Sequence, residues 1–182
     1  MNCSLKDITS LMILVSDNVA TNILIDLVGM ENVNKTVQAL GLKATRLARK
    51  MIDEDAARKG RENVSTPREM MSLLTMLHTS SGIDKDVSAQ TLDILKMYKE
   101  GPVRTGAPPE TVVANKTGGL PGVIADCAIV YLPDRPYVLC AMTTFLKDPL
   151  VGHESIRNVS RIIYDYMWRI SKSTPLGRRF VP

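Results

Sequence analysis

The chain has 182 residues, 45% of them hydrophobic, with a formal charge of +4. That length suits one domain or two small subdomains sharing a core, and the apolar content excludes global disorder. No apolar run approaches the roughly 20 residues of a membrane span, and scattered basic residues with few aromatics argue against a nucleic-acid surface.

Residues 5–15 end in the run Leu11-Met12-Ile13-Leu14-Val15 and read as a helix buried on most sides, although periodicity alone leaves a strand open. Ser16-Asp17-Asn18 follows, three residues that favour turns and N-caps. Ala20, Ile23, Leu24, Leu27 and Val28 recur at helical spacing on one face of a second helix, with Gly29 as its C-cap. A third helix carries Val33, Val37 and Leu40 and stops at Gly41. Residues 43–64 lose the periodicity and become charged, a long loop with a short helix around Asp53–Lys59. Loops of such length are functional or mobile.

Thr66-Pro67-Arg68-Glu69 is a helix start in which Glu69 closes a capping box, and Met70, Leu73, Leu74 and Leu77 face the core. Met70, Met71 and Met76 read as core filler. Another helix spans about 86–99, with Leu92, Leu95 and Tyr98 inward, and 101–109 is a surface crossing. At Thr111 the pattern turns to strands. Thr111–Ala114 leads into Lys116-Thr117-Gly118 on a strand, and Gly118, Gly119, Pro121 and Gly122 make a turn. Strands Ile124–Leu132 and Tyr137–Leu146 flank a hairpin signal, Pro133-Asp134-Arg135-Pro136. Ile156, Val159, Ile162, Ile163, Tyr166, Met167 and Ile170 mark a long amphipathic helix, and 174–182 a tail containing Arg178-Arg179.

Cys3, Cys127 and Cys140 with His78 and His153 show no C-x-x-C or H-x-x-x-H spacing, so no metal or cofactor is expected. Both histidines read as helix-end or surface residues. Cys127 and Cys140 fall in neighbouring strands where a bridge is conceivable, though buried free thiols are the expected state. Met1-Asn2-Cys3 opens no signal peptide, so the chain reads as cytosolic or as having its export segment outside it.

S-D-N between two helices, then K-T-G on a strand opening an antiparallel sheet, resembles the class A β-lactamases and penicillin-binding proteins. The likeness extends through Ser16-Asp17-Asn18-Val19-Ala20-Thr21-Asn22, Leu40-Gly41-Leu42, Thr45-Arg46-Leu47, Ser65-Thr66-Pro67 and Asn115-Lys116-Thr117-Gly118-Gly119, over roughly residues 5–170. It implies an α+β, β-lactamase/transpeptidase-like fold. A truncated domain at 1–173 has a helical part at 5–100, then a three-stranded antiparallel sheet and C-terminal helix at 111–173, with the family's N-terminal strands and central helix missing.

The resemblance also implies roles. Ser16, hydrogen-bonded to Lys116, would shuttle a proton to the leaving nitrogen. Lys116 would lower the pKa of Ser16 and attract the substrate carboxylate, and Thr117 would offer that carboxylate a hydroxyl. Asn18 would bond the acyl donor's amide side chain. Gly118 completes the binding triplet, and the Gly119 N–H would be half of an oxyanion hole. The implied substrate is a β-lactam or peptidoglycan-peptide-like amide or ester, and the implied compartment is periplasmic or secreted.

Two departures qualify this. The family nucleophile lies in S-x-x-K, but no lysine in this sequence has a serine three positions before it. Class A enzymes place a deacylating glutamate after the T-R-L segment, where this chain has Met51. If the chain acts by itself, Ser16 is the stand-in nucleophile with Lys116 as its base. Apolar faces without the missing helix predict a homo-oligomer or swapped dimer, or a second chain that supplies the nucleophile. A non-catalytic binding module is the alternative from another class. A metal-dependent hydrolase using Cys and His has little support.

Overall fold

The computed structural model describes residues 3–174 and 176–177. The chain divides into two units, Met1–Lys99 and Glu100–Pro182. The first is helical. Helix α1 (Leu5–Leu14) starts on a reciprocal cap: the Asp7 N–H donates to Ser4 Oγ at 3.2 Å, and the Ser4 N–H to Asp7 Oδ2 at 2.9 Å. Helix α2 (Asn18–Val28) starts at Asp17 and ends at Gly29, whose φ of +83° suits a residue without Cβ. Helices α3 (Met30–Ala39), α4 (Glu54–Arg58), α5 (Pro67–Thr79) and α6 (Lys85–Lys96) follow.

Burial in this unit departs from the sequence pattern. No residue of α1 is buried, and Leu11 and Val15 are 47% and 67% exposed. In α2, Ala20 and Ile25 are buried, whereas Ile23, Leu27 and Val28 are exposed. Helix α1 packs on α2 and α6, which covers one side of each helix and leaves the other apolar side uncovered. Met71 on α5 is likewise exposed, not core, and so is Tyr98, which lies beyond the end of α6 at Lys96. Glu69 does not close a capping box. Thr66 caps α5, while the Glu69 carboxylate accepts from the Ala44 N–H at 2.8 Å and the Thr45 hydroxyl at 2.6 Å.

The second unit is a sheet of β1 (Val112–Leu120), β2 (Val123–Tyr131) and β3 (Tyr137–Thr143), antiparallel in the order β1-β2-β3. Helix α8 (Pro149–Ser171) and the short α7 (Pro102–Thr105) pack on one face. Residues 101–109 are therefore not a surface crossing. Val103 is fully buried among Val113, Ile124, Ala128, Val130 and Ile156. Gly118 and Gly119 lie within β1, so only Pro121-Gly122 turns. β3 stops at Thr143, short of Leu146.

Helix α8 also turns a different face inward. It buries Gly152, Ile156 and Ser160, while Val159, Ile162 and Tyr166 are exposed. Two small residues allow close approach: Ser160 Oγ donates to the Val103 carbonyl at 2.8 Å. A stripe of Gly, Ile and Ser carries little hydrophobic signal. The proposed tail lies largely outside the described residues.

Candidate active site

In the helical unit, Ser16 sits at the kink between α1 and α2 with φ +53°, the left-handed region. A non-glycine residue there costs about 1–3 kcal/mol, so the surroundings must hold it. They do. The Asp17 N–H reaches the Leu11 carbonyl at 3.3 Å, and Asp17 Oδ1 accepts from the Ala20 N–H at 2.7 Å. Asp17 is thus the N-cap that fixes the turn, and it has Ser16 and Asn18, both exposed, on either side.

Loop 43–64 is pinned by asparagine side chains bonded to its backbone. Asn22 Oδ1 accepts from the Met51 N–H at 2.8 Å, and Asn22 Nδ2 donates to the Met51 carbonyl at 3.2 Å. Asn34 treats Leu47 the same way, at 2.9 and 2.8 Å. Asn63 accepts from the N–H groups of Ala48 and Arg49 at 2.7 and 3.0 Å. Arg46 and Val64 close the loop as an antiparallel bridge, and Lys50 pairs with Asp26 at 2.5 Å. Ile52, beside Met51, has φ +63° and is 71% exposed.

In the sheet unit, among the described residues, β1 lies at an edge of the sheet, paired on one side only, with β2. Lys116, Thr117, Gly118 and Gly119 follow one another along it. Lys116 is half-buried and donates from Nζ to the Thr117 carbonyl at 2.6 Å. Burial lowers the Lys116 pKa from its ordinary value, and the charge of Asp126 acts in the opposite direction. Gly118 and Gly119 are exposed.

Asp126 is fully buried and organises the back of this strand. Its Oδ2 accepts the Val103 N–H at 2.9 Å, and Asn115 Nδ2 lies 3.2 Å from Oδ1. Gly101 packs so closely here that a Cβ would stand 2.6 Å from Asn115 Nδ2 and Asp126 Oδ2 and 2.8 Å from Thr117 Cγ2. A cavity of about 330 Å³ between α7 and α8 is bounded by Gly101, Thr105, Thr117, His153, Glu154 and Arg157. It puts the Thr117 side chain in the same cavity as a guanidinium and an imidazole.

The structure therefore brings Ser16 and Asn18 together at one turn, and Lys116, Thr117, Gly118 and Gly119 together on one strand. No motif assigned a role to Asn22, Asn34, Asn63, Asp126 or Gly101. A lone carboxylate in an otherwise apolar strand was the available signal for Asp126. Among the described residues, no cluster of three or more His, Cys, Asp or Glu side chains could hold a metal.

Residues 1–167 match the Beta-lactamase enzyme family. Beta-lactamase SME-1 of Serratia marcescens is 30% identical over 168 residues, 87% of this chain and 57% of that protein. A beta-lactamase of Bacillus amyloliquefaciens is 31% identical over 169 residues, 89% and 55% of the two chains. Among solved structures, a class A beta-lactamase from Mycobacterium abscessus superposes with a TM-score of 0.80 at 28% identity, covering 91% of this chain and 66% of that one. PBP-A gives 0.79 at 27%, covering 91% and 62%. The chain spans a little over half the length of these curated relatives. Its helices, antiparallel sheet and C-terminal helix have the β-lactamase/transpeptidase fold. The chain belongs to the beta-lactamase enzyme family.

Proposed function

We propose that this chain takes part in serine acyl transfer on a β-lactam, or on a D-Ala-D-Ala-like amide or ester. One observation carries the reading: Lys116-Thr117-Gly118-Gly119 occupies an edge strand, with a half-buried lysine followed by two exposed glycines. An edge strand has backbone donors and acceptors for an extended amide, and two glycines admit a ligand close to the main chain.

In this reading the Lys116 ammonium and Thr117 hydroxyl receive the substrate carboxylate. The Gly119 N–H donates to the oxygen that gains charge as the carbonyl carbon becomes tetrahedral. Asn18 bonds the acyl donor's amide, and Ser16 carries a proton to the departing nitrogen. No serine precedes a lysine by three positions in this sequence, so Ser16 is also the proposed acyl acceptor when the chain acts by itself. Its fixed, exposed position suits that role. Among the described residues no helix is long and apolar enough to cross a membrane, and the family's periplasmic or secreted setting is proposed for it.

A fluorescent penicillin followed by mass mapping tests this. The expected adduct lies on the peptide containing Ser16 and disappears in Ser16→Ala while the circular dichroism spectrum is unchanged. An adduct elsewhere, or none, overturns Ser16 as acceptor.

The exposed side chains of Leu11, Val15, Ile23 and Leu27 favour a second reading, in which the chain binds substrate but needs another polypeptide to supply the nucleophile. There, labelling appears only when a polypeptide carrying S-x-x-K is added, and the adduct maps to that polypeptide.

A further inference from the structure

Lys116, Cys127 and Cys140 form one row across the sheet: Lys116 stands opposite Cys127, and Cys127 opposite Cys140. The alternate residues Ile124, Ala128 and Val130 pack with Ile156 of α8, so the two cysteines share the other face. Both are free thiols, with Cys127 buried and Cys140 half-buried.

The register favours a bond between them. Ile124 donates its N–H to Thr143 Oγ1 at 3.3 Å and accepts from the same hydroxyl at 3.0 Å, so its backbone groups point at β3. Those of Cys127, three residues on, point the opposite way, toward β1. Cys127 and Cys140 are thus a non-hydrogen-bonded pair, the type in which opposed Cα atoms lie about 4.5 Å apart and side chains are closest. That spacing falls within the range a disulfide spans.

We propose that Cys127 and Cys140 are a thiol modification site that closes to a cross-strand disulfide behind Lys116 when the chain meets a disulfide oxidant. The more accessible Cys140 reacts first. As a thiolate it attacks one sulfur of the external disulfide, whose S–S bond breaks and releases one thiolate. Cys127 then gives its proton to solvent and attacks the Cys140 sulfur, releasing the second thiol. The two cysteines lose two electrons and two protons, and the oxidant becomes two thiols. Contact with Cys140 and burial both push the Cys127 thiol up and keep it protonated, so the first attack falls to Cys140. The bond fastens the outer strand β3 to β2 in the same row as the K-T-G lysine.

The test uses the full chain equilibrated with oxidised or reduced glutathione, quenched with N-ethylmaleimide in denaturant and mapped by mass spectrometry. Expected in the oxidised sample is a cross-linked peptide pair containing Cys127 and Cys140, two hydrogens lighter than its parts. Neither cysteine is alkylated, and the melting temperature rises by several degrees, reversed by dithiothreitol. Cys140→Ser loses both the cross-link and the gain. Alkylation of both cysteines after prolonged oxidation overturns the proposal, as does a bond formed only through Cys3. Neither readout uses a lactam, so failure here is separate from failure of the proposed acyl transfer.

Discussion

Asn22 holds Met51 by both of its backbone polar groups, across 29 positions of sequence. One side-chain amide on α2 thereby fixes the height and direction of loop 43–64 at Met51, the position that the resemblance aligns with the family's deacylating glutamate. Asn22→Ala should cost about 1–3 kcal/mol, because two partly buried backbone groups lose their partner. Hydrogen exchange at the Met51 amide should quicken well beyond that of Met76 on α5. Unchanged exchange at Met51 would show that the loop is held by its other asparagines alone.

If position 51 lacks only the base, then Met51→Glu supplies it on a backbone already anchored by Asn22. The lifetime of a penicillin adduct should fall by about 10²-fold, the low end of general-base contributions. Following the decay of the fluorescent adduct checks this. An unaltered lifetime would mean the carboxylate does not reach the ester.

The local structure that carries the candidate site residues was legible in the sequence, for identifiable reasons. Ser16-Asp17-Asn18 reads as a turn because its polar residues interrupt two apolar segments, and it is one. Lys116 reads as a strand residue because β-branched residues precede it and glycines follow. The inward faces were less legible. Helical spacing assigned Ile23, Leu27, Val159 and Ile162 to the core, yet all are exposed, while Gly152 and Ser160 pack inside. Apolar periodicity reports which face a helix can bury, and the partners present decide which face it does bury. Glu69 fits a capping box by spacing, but two donors at the start of the charged loop took its carboxylate instead.

Gly101 is required by close approach, not by φ, which at −179° suits any residue. Gly101→Ala places a methyl against Asn115, Asp126 and Thr117, and should cost about 1–3 kcal/mol by overpacking. Chemical denaturation measures it. Wild-type stability would show that α7 moves away freely, which the buried Val103 argues against.

Asp126 raises the Lys116 pKa against the larger effect of burial. Asp126→Asn keeps oxygen and nitrogen atoms at the site but removes the charge, so Lys116 should lose its proton at lower pH than in the wild type. The pH dependence of Lys116 acylation by an amine-reactive reagent, read by peptide mapping, checks the direction. A rise would contradict it.

Hydrogen bonds from the Thr45 hydroxyl and Ala44 N–H hold the Glu69 carboxyl below its ordinary value of 4.5. The unfolded chain therefore binds this proton first as pH falls. Stability from Glu69 is complete above about pH 4.5 and is lost as pH drops through the lower folded value. Relative to the intrinsic exchange rate at each pH, protection of the Ala44 amide should fall in acid in the wild type, and Glu69→Gln should flatten that acid-specific change.

The exposed apolar side of α1 and α2 gives the last expectation. Leu11, Val15, Val19, Ile23 and Leu27 are each at least 46% exposed. Each such side chain, if covered, contributes up to about 1.5–3 kcal/mol. A patch of this kind is seldom left wet in solution. The chain should therefore associate, and light scattering should show a mass that grows with concentration. Val15→Lys combined with Ile23→Lys should shift that growth to higher concentration without loss of helicity, because neither side chain is buried in its own unit. A monodisperse monomer with a cooperative melt, unaffected by these two lysines, would show that the face is stable in water as it stands.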